Sequence, residues 1–292
     1  MIIDAHAHLW NKQHGIVNGG PVHDIGGGRS LFGTEIRQMM PPYLTDGINS
    51  AERLIANMDY AGVSGAVITQ EYIDGNQDAY LLECRRRYGD RLRVCALYEE
   101  KPLADISGFD GIKLCAGRLA DRDLLHHTAP FEIANAQGKF ISIDLADGDE
   151  QTGALNEIAQ QFPDLKIAIG HFGMVTREGW LEQIRLARNK NVCIESGGIT
   201  WLFHKEFYPY PSAVEAILEA AELVGFHKLM WGSDYPRTMT AITYKMSLDF
   251  IEKTTRIPED SKALLLGENA KNFYGFGDLA VPERIRNMVE DD

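Results

Sequence analysis

A chain of 292 residues that is 45% hydrophobic and 24% charged can bury a large core, which excludes a disordered chain and a small disulfide-stapled scaffold. Its formal charge of −13, from 29 Lys and Arg against 42 Asp and Glu, argues against nucleic acid and anionic membrane as partners. No run approaches the ~20 apolar residues of a membrane span, the start lacks a secretory leader pattern, and the scattered Cys84, Cys95, Cys115 and Cys193 read as reduced thiols of a cytoplasmic protein.

Residues 2–5 predict a first strand that runs into Ile3-Asp4-Ala5-His6-Ala7-His8, and strand alternation places His6 and His8 on one face at its C-terminal end. The next stretch, 11–49, carries eight glycines together with Pro21, Pro41 and Pro42. It predicts a long irregular loop, and a loop of that length inside a domain points to a lid. Ser50 predicts the cap of a helix reaching Ala61, with Gly62 placed to stop it. Beyond it, strands are predicted at 65–69, 92–98, 111–114, 140–145, 166–169, 192–195 and 229–231. Helices are predicted at 78–87, 129–137, 150–162, 180–189 and 213–224, while 102–110 is weakly patterned. Most of the strands are nearly continuous apolar runs, as strands covered on both faces require. Eight strand–helix units predict one distorted (β/α)8 TIM barrel over 1–276, with 11–49 as a Gly-rich lid and 277–292 as a tail ending in the solvated Glu290-Asp291-Asp292. An open doubly wound sheet calls for Gly-x-Gly-x-x-Gly after the first strand, where this chain has His-Ala-His.

In a barrel the strand ends converge on one mouth. Asp144 ends the fifth strand, His171 follows the sixth, and Asp234 follows the eighth in Trp231-Gly232-Ser233-Asp234-Tyr235-Pro236. Ionisable groups just past buried strands cost desolvation that bland residues avoid. Each alone also suits a helix cap, Asp144 beside Asp147 and Asp149 most of all. Two imidazoles one pleat apart can share a metal ion at ~2.0–2.1 Å. Lys113 ends the fourth strand, Arg118 lies nearby and Arg237 follows Asp234, so these three are candidate holders of a substrate carboxylate that make the mouth locally cationic. Lys113 equally suits an ion pair with Asp144. Trp201 and His204 belong to an aromatic stretch, 201–210, that suits either a pocket wall for an organic acid or sugar ring, or a subunit contact. A homodimer is the ordinary expectation for such an enzyme. Glu71 is placed to reach the same mouth, and His14, His23, His126, His127 and His227 carry no supporting pattern.

The motifs at 3–8, 169–173 and 230–236, with Gly267-Glu268-Asn269-Ala270-Lys271-Asn272-Phe273, resemble the amidohydrolase superfamily in its amidohydrolase-related (amidohydrolase 2) branch, over essentially 1–276. The resemblance implies one divalent metal, commonly Zn²⁺, held by His6, His8 and Asp234, with His171 assisting beside it. The chain departs from the branch at strand five, where decarboxylases present a metal-binding histidine and this sequence has Asp144. Two His and two Asp ligands make a formally neutral Zn²⁺ site, and the richer carboxylate shell also suits Mn²⁺. The Asp-Leu ending of strand five and Trp10 after His-Ala-His are similar to the sugar-lactone hydrolases. A binuclear site bridged by carbamylated Lys113 needs a strand-five histidine that is missing. The expectation is therefore a metal-dependent hydrolase of a lactone of a sugar acid or related carboxylic acid. Asp234 shuttles the proton, His171 donates to the oxyanion, and Lys113, Arg118, Trp201, His204 and Arg237 surround the substrate. Two alternatives stand beside it: non-oxidative decarboxylation of an aromatic or muconate-type acid, and a ligand-binding barrel without turnover.

Overall fold

Strand β1 (Ile2–His8) leads into four short strands, β2 (His14–Val17), β3 (Gly20–Asp24), β4 (Arg29–Phe32) and β5 (Glu35–Gln38). Seven more follow: β6 (Val63–Thr69), β7 (Leu92–Leu97), β8 (Gly111–Leu114), β9 (Phe140–Ile143), β10 (Ile167–Ile169), β11 (Val192–Glu195) and β12 (Leu229–Met230). This computed structural model describes residues 1–288 except 104, 284 and 287, so the acidic end at 290–292 lies outside the described residues. β1 and β6 to β12 form one parallel sheet in sequential order. It closes because β1 bonds the chain just past β12: Ala5 N–H to Trp231 O at 2.9 Å, Asp234 N–H to His6 O at 2.8 Å and His8 N–H to Tyr235 O at 2.8 Å. Helices α1 (Ala51–Ala61), α2 (Asp78–Arg87), α3 (Ala129–Ala136), α4 (Thr152–Gln161), α5 (Trp180–Arg185), α6 (Ile199–Leu202) and α7 (Pro211–Val224) lie between the strands. The predicted (β/α)8 barrel is the observed fold. The weakly patterned 102–110 carries no helix among its described residues, and Asp105 caps a turn there by accepting the Ser107 N–H.

Small side chains fill the barrel interior. Ile3, Ala5, Val67, Cys95, Ala168, Cys193 and Met230 pack together, and Phe273, Tyr274 and Phe276 close them off. A bulge sets the upper half of β1. Its register with β6 slips between Asp4 and Ala7, so Ala5 belongs to the interior cluster whereas Ala7 joins the layer under the helices. An uninterrupted period of two would put both alanines on one face. The slip allows an apolar floor and two inward histidines on the same short strand.

Residues 11–49 correct the expectation of an irregular loop. β2 to β5 form a four-stranded antiparallel sheet, and its glycines make tight turns. Asn18 (φ 50°) and Gly19 (φ 73°) are both left-handed, the requirement of a two-residue type I′ hairpin turn. The inner edge is held by His14 N–H to Asp74 O at 3.1 Å and Ile16 N–H to Tyr72 O at 3.0 Å. Gly15 permits that approach, since a Cβ there would lie 2.1 Å from Ile73 O. The sheet is anchored by the buried Trp10, whose Nε1–H donates to Gly47 O at 2.9 Å. β5 is the other edge; it is exposed along its length and pairs on one side only, with β4. No helix among the described residues is long and apolar enough to cross a membrane.

Candidate active site

The C-terminal strand ends open into a cavity of about 720 Å³. His8, Asp144, His171, Trp201, His204 and Asp234 line it, as do Arg118 and Arg237. Arg37, Gln38 and Met39, from the end of the antiparallel sheet, form part of its rim. His6 and Lys113 are fully buried just behind the wall.

His6 Nε2 and His8 Nε2 are 3.0 Å apart, and Asp234 Oδ1 lies 2.9 Å from His8 Nε2 and 3.8 Å from His6 Nε2. Three donor atoms tetrahedrally bound to one ion at ~2.0–2.1 Å stand about 3.3 Å from one another, so this spacing fits a divalent cation. The strongest sign is Asp234 Oδ1 itself, which is buried and has no hydrogen bond of proper geometry. A buried carboxylate oxygen left in that condition is costly unless something binds it. The other oxygen, Oδ2, accepts Trp201 Nε1–H at 2.6 Å. His6, Asp144 and His171 make a second cluster around the shared His6.

Backbone geometry helps to aim these groups. Asp234 (φ 56°) and His171 (φ 53°) both take the left-handed conformation, which costs an ordinary residue roughly 1–2 kcal/mol. The bond from Asp234 N–H to His6 O holds the first of them. Glycine at 170 clears the space between two carboxylates, because a Cβ there would stand 2.1 Å from Asp144 Oδ1 and 2.8 Å from Glu195 Oε1.

The charges are matched in pairs. Lys113 Nζ meets Asp144 Oδ1 at 2.6 Å, which is the ion-pair reading of that lysine, and Lys113 is fully buried outside the cavity lining. Arg118 Nε meets Glu71 at 2.9 Å, and Arg237 Nη2 donates to both oxygens of Asp74 at 2.9 and 2.8 Å. Each of the three cations expected at the mouth thus already has a carboxylate. One donor remains over. Arg237 Nη1 is buried without a hydrogen-bond partner among the described residues, 3.8 Å from Asp234 Oδ1.

Burial alone would raise Asp234, but the close approach of His8 and the charges of Arg237 and His171 outweigh it and hold Asp234 well below its ordinary value. Burial and the nearby Arg237 push His8 well below the usual imidazole range. His171 goes the other way. Burial opposes its charge, yet Asp144, with Asp234 and Glu195 beyond, lifts it to about 10, so it stands as a cation at neutral pH. Its Nδ1 also reaches Gly197 O at 2.8 Å and its Nε2 is 3.6 Å from Asp144 Oδ2. Burial works against Asp144 as well, but Lys113 and His171 keep it well below the carboxylate range.

Two residues of the site escape the sequence reading. Glu195 Oε1 lies 2.6 Å from His6 Nδ1, and it ends the apolar run Val192–Glu195 in the same way that Asp144 ends its own strand. That signal was available. Asp74 follows β6 in a loop without a pattern, and only the fold brings it to Arg237.

A family model described as Amidohydrolase (Amidohydro_2) matches residues 3–276. No functionally curated protein matches the chain in sequence. Among solved structures, a probable 2-pyrone-4,6-dicarboxylic acid hydrolase from Acinetobacter baumannii, with citric acid bound, superposes with a TM-score of 0.68 at 19% identity, covering 94% of this chain and 99% of that one. An amidohydrolase from Burkholderia multivorans with bound zinc gives 0.68 at 16% identity, covering 95% and 100%. A 5-carboxyvanillate decarboxylase from Sphingomonas paucimobilis gives 0.55 at 17% identity, covering 81% and 86%. At these identities the likeness is one of fold, whereas the family match spans nearly the whole chain. With its opening His-Ala-His and closing Asp234 gathered at one barrel mouth, this enzyme belongs to the Amidohydrolase family.

Proposed function

We propose that this enzyme hydrolyses the ester bond of a lactone that carries a carboxylate, with one divalent ion, Zn²⁺ in the first instance. The observation that carries the reading is two buried atoms without a hydrogen bond of proper geometry, on residues that line one cavity: Asp234 Oδ1, an acceptor, and Arg237 Nη1, a donor, 3.8 Å apart. His6 Nε2, His8 Nε2 and Asp234 Oδ1 would hold the ion, which when bound polarises a carbonyl and lowers the pKa of a water. Asp144, engaged by Lys113, is less available as a fourth ligand than its place in the sequence implied.

Asp234 takes the proton of the attacking water and returns it to the ring oxygen as the C–O bond breaks. Trp201 Nε1–H holds the other carboxylate oxygen, so the basic lone pairs point one way. His171, braced by Asp144, donates to the developing oxyanion, a contact worth about 3 kcal/mol where such donors have been removed. Arg237 and Arg118 receive the substrate carboxylate, sharing it with Asp74 and Glu71. Trp201 and His204 wall the ring. Two structural relatives, a probable pyrone dicarboxylic acid hydrolase and a carboxyvanillate decarboxylase, support carboxylated rings as the compounds to try.

The test is acid release from a panel of carboxylated five- and six-membered lactones, with Zn²⁺ or Mn²⁺ supplied, and CO₂ detection on carboxylated arenes run in parallel. Lactone opening is expected, and Asp234→Asn lowers kcat by roughly 10²–10⁴-fold while leaving the circular dichroism spectrum in place. CO₂ release without acid release from any lactone overturns the reading in favour of decarboxylation.

A further inference from the structure

Glu195 ends β11 with a fully buried carboxylate that no step above uses. Its Oε2 accepts the Gly197 N–H at 2.5 Å and its Oε1 faces His6 Nδ1 at 2.6 Å. Glycines crowd around it because nothing larger fits. A Cβ at Gly197 would stand 2.8 Å from Glu195 Oε2 and 2.7 Å from His6 Cγ, and one at Gly232 would stand 2.9 Å from Oε2 and 2.8 Å from His6 Cβ.

A carboxylate accepts and does not donate, so the proton in the short contact belongs to His6 Nδ1. His6 Nε2 then carries the lone pair, and it faces His8 Nε2 at 3.0 Å. A lone pair accepts, so the proton in that second contact comes from His8 Nε2, which also lies 2.9 Å from the acceptor Asp234 Oδ1. His8 Nδ1 is left bare, and it is indeed buried without a hydrogen-bond partner among the described residues. One polarity therefore runs through Glu195, His6 and His8.

We propose that Glu195 is a positioning residue that fixes the tautomers of both histidines, His6 as Nδ1–H with Nε2 free to ligate, and His8 as Nε2–H in the metal-free protein. His6 is the preset ligand and His8 the switching one. For His8 Nε2 to ligate, its proton leaves and another is taken at Nδ1, on the side where Asp74 Oδ2 lies 3.8 Å away, so the ring stays neutral. The tautomer assignment concerns the metal-free protein; its effect on affinity rests on the metal reading above.

Glu195→Gln reverses the polarity. The glutamine oxygen keeps the Gly197 N–H, its NH₂ donates to His6 Nδ1, and the His6 proton is driven to Nε2, where it blocks ligation. Two measurements test this: ¹⁵N NMR of the labelled imidazoles in metal-free protein, and Zn²⁺ affinity by competition with a chromogenic chelator. We expect His6 protonated at Nδ1 in the natural protein and at Nε2 in the variant, whose Zn²⁺ Kd rises by about 10–100-fold. A natural protein with His6 protonated at Nε2 overturns the proposal, as does a variant that binds Zn²⁺ as tightly as the natural protein. If the variant does not fold, the spectrum of the natural protein decides alone. A natural protein that takes up no Zn²⁺ sinks the metal reading instead, and the imidazole spectrum still decides the tautomers.

Discussion

Asp4, two residues before His6, ties the first strand of the barrel to the last. Fully buried, it accepts Ser233 N–H at 2.8 Å, Ser233 Oγ–H at 2.5 Å, Tyr244 O–H at 2.8 Å and His6 N–H at 3.1 Å. Burial nevertheless pushes its carboxyl up to about 6 from an ordinary 3.8. The folded state thus binds the proton more tightly than the unfolded chain. The contribution of Asp4 to stability is complete below pH 4 and is lost as pH rises towards 6, by about 3 kcal/mol. Urea unfolding of the natural protein and of Asp4→Asn should therefore converge or cross in stability as pH rises from 4 to 7, and parallel pH profiles would refute the assignment. The same residue shows what sequence conceals. His6, His8, His171 and Asp234 were legible because each is an ionisable group at the end of an apolar run. Asp4 lies inside such a run, and its four donors come from β1 itself and from residues more than two hundred positions away in the chain.

Individual elements explain the rest of what could and could not be read. The barrel strands were plain because strands covered on both faces are written as unbroken apolar runs. The antiparallel sheet was hidden because its strands are short and face water on one side, so their apolar residues are sparse and the turn glycines dominate the composition. Asn18-Gly19 was the available clue, since that pair at φ > 0 marks a tight hairpin. The strand-to-turn joints carry the site's precision, and Gly170 is among the tightest of them. Gly170→Ala must displace Asp144 from Lys113, and we expect a loss of about 1–3 kcal/mol in denaturant unfolding from overpacking. Gly153→Ala, in α4 with open space around it, is the matched control and should be neutral or gain up to about 1 kcal/mol. Equal effects at the two positions would show that the contact at Gly170 is not rigid.

For the whole molecule, the net charge of −13 and the site tell different stories. At the mouth each of three cations is matched with its own carboxylate: Lys113 with Asp144, Arg118 with Glu71 and Arg237 with Asp74. On the proposed reading, recognition of an anion would depend on one unpaired N–H and on exchange of partners, not on bulk attraction. The ion site is linked to the fold as a whole, because its candidate ligands sit on the seam where β1 meets the chain after β12. An ion bound only by the folded state at a hundred times its Kd adds about 2.7 kcal/mol to unfolding. Melting with Zn²⁺ against melting with a chelator should differ by several degrees, and identical curves would remove the case for a bound metal.

The outer edge of the antiparallel sheet leaves a signature in time. Phe32 pairs with Glu35 and Ser30 with Arg37, and Met39 N–H reaches Gly28 O at 2.9 Å. Antiparallel ladders turn alternate residues towards the partner strand, so the amides of Glu35 and Arg37 face β4 while those of Ile36 and Gln38 face outward. In deuterated water, neighbouring amides along this one strand should therefore exchange on two separate clocks, slow and fast in turn. Any contact that later covers the rim, whether substrate closing the mouth or another molecule pairing with the strand, would first be registered as a slowing of Ile36 and Gln38 alone.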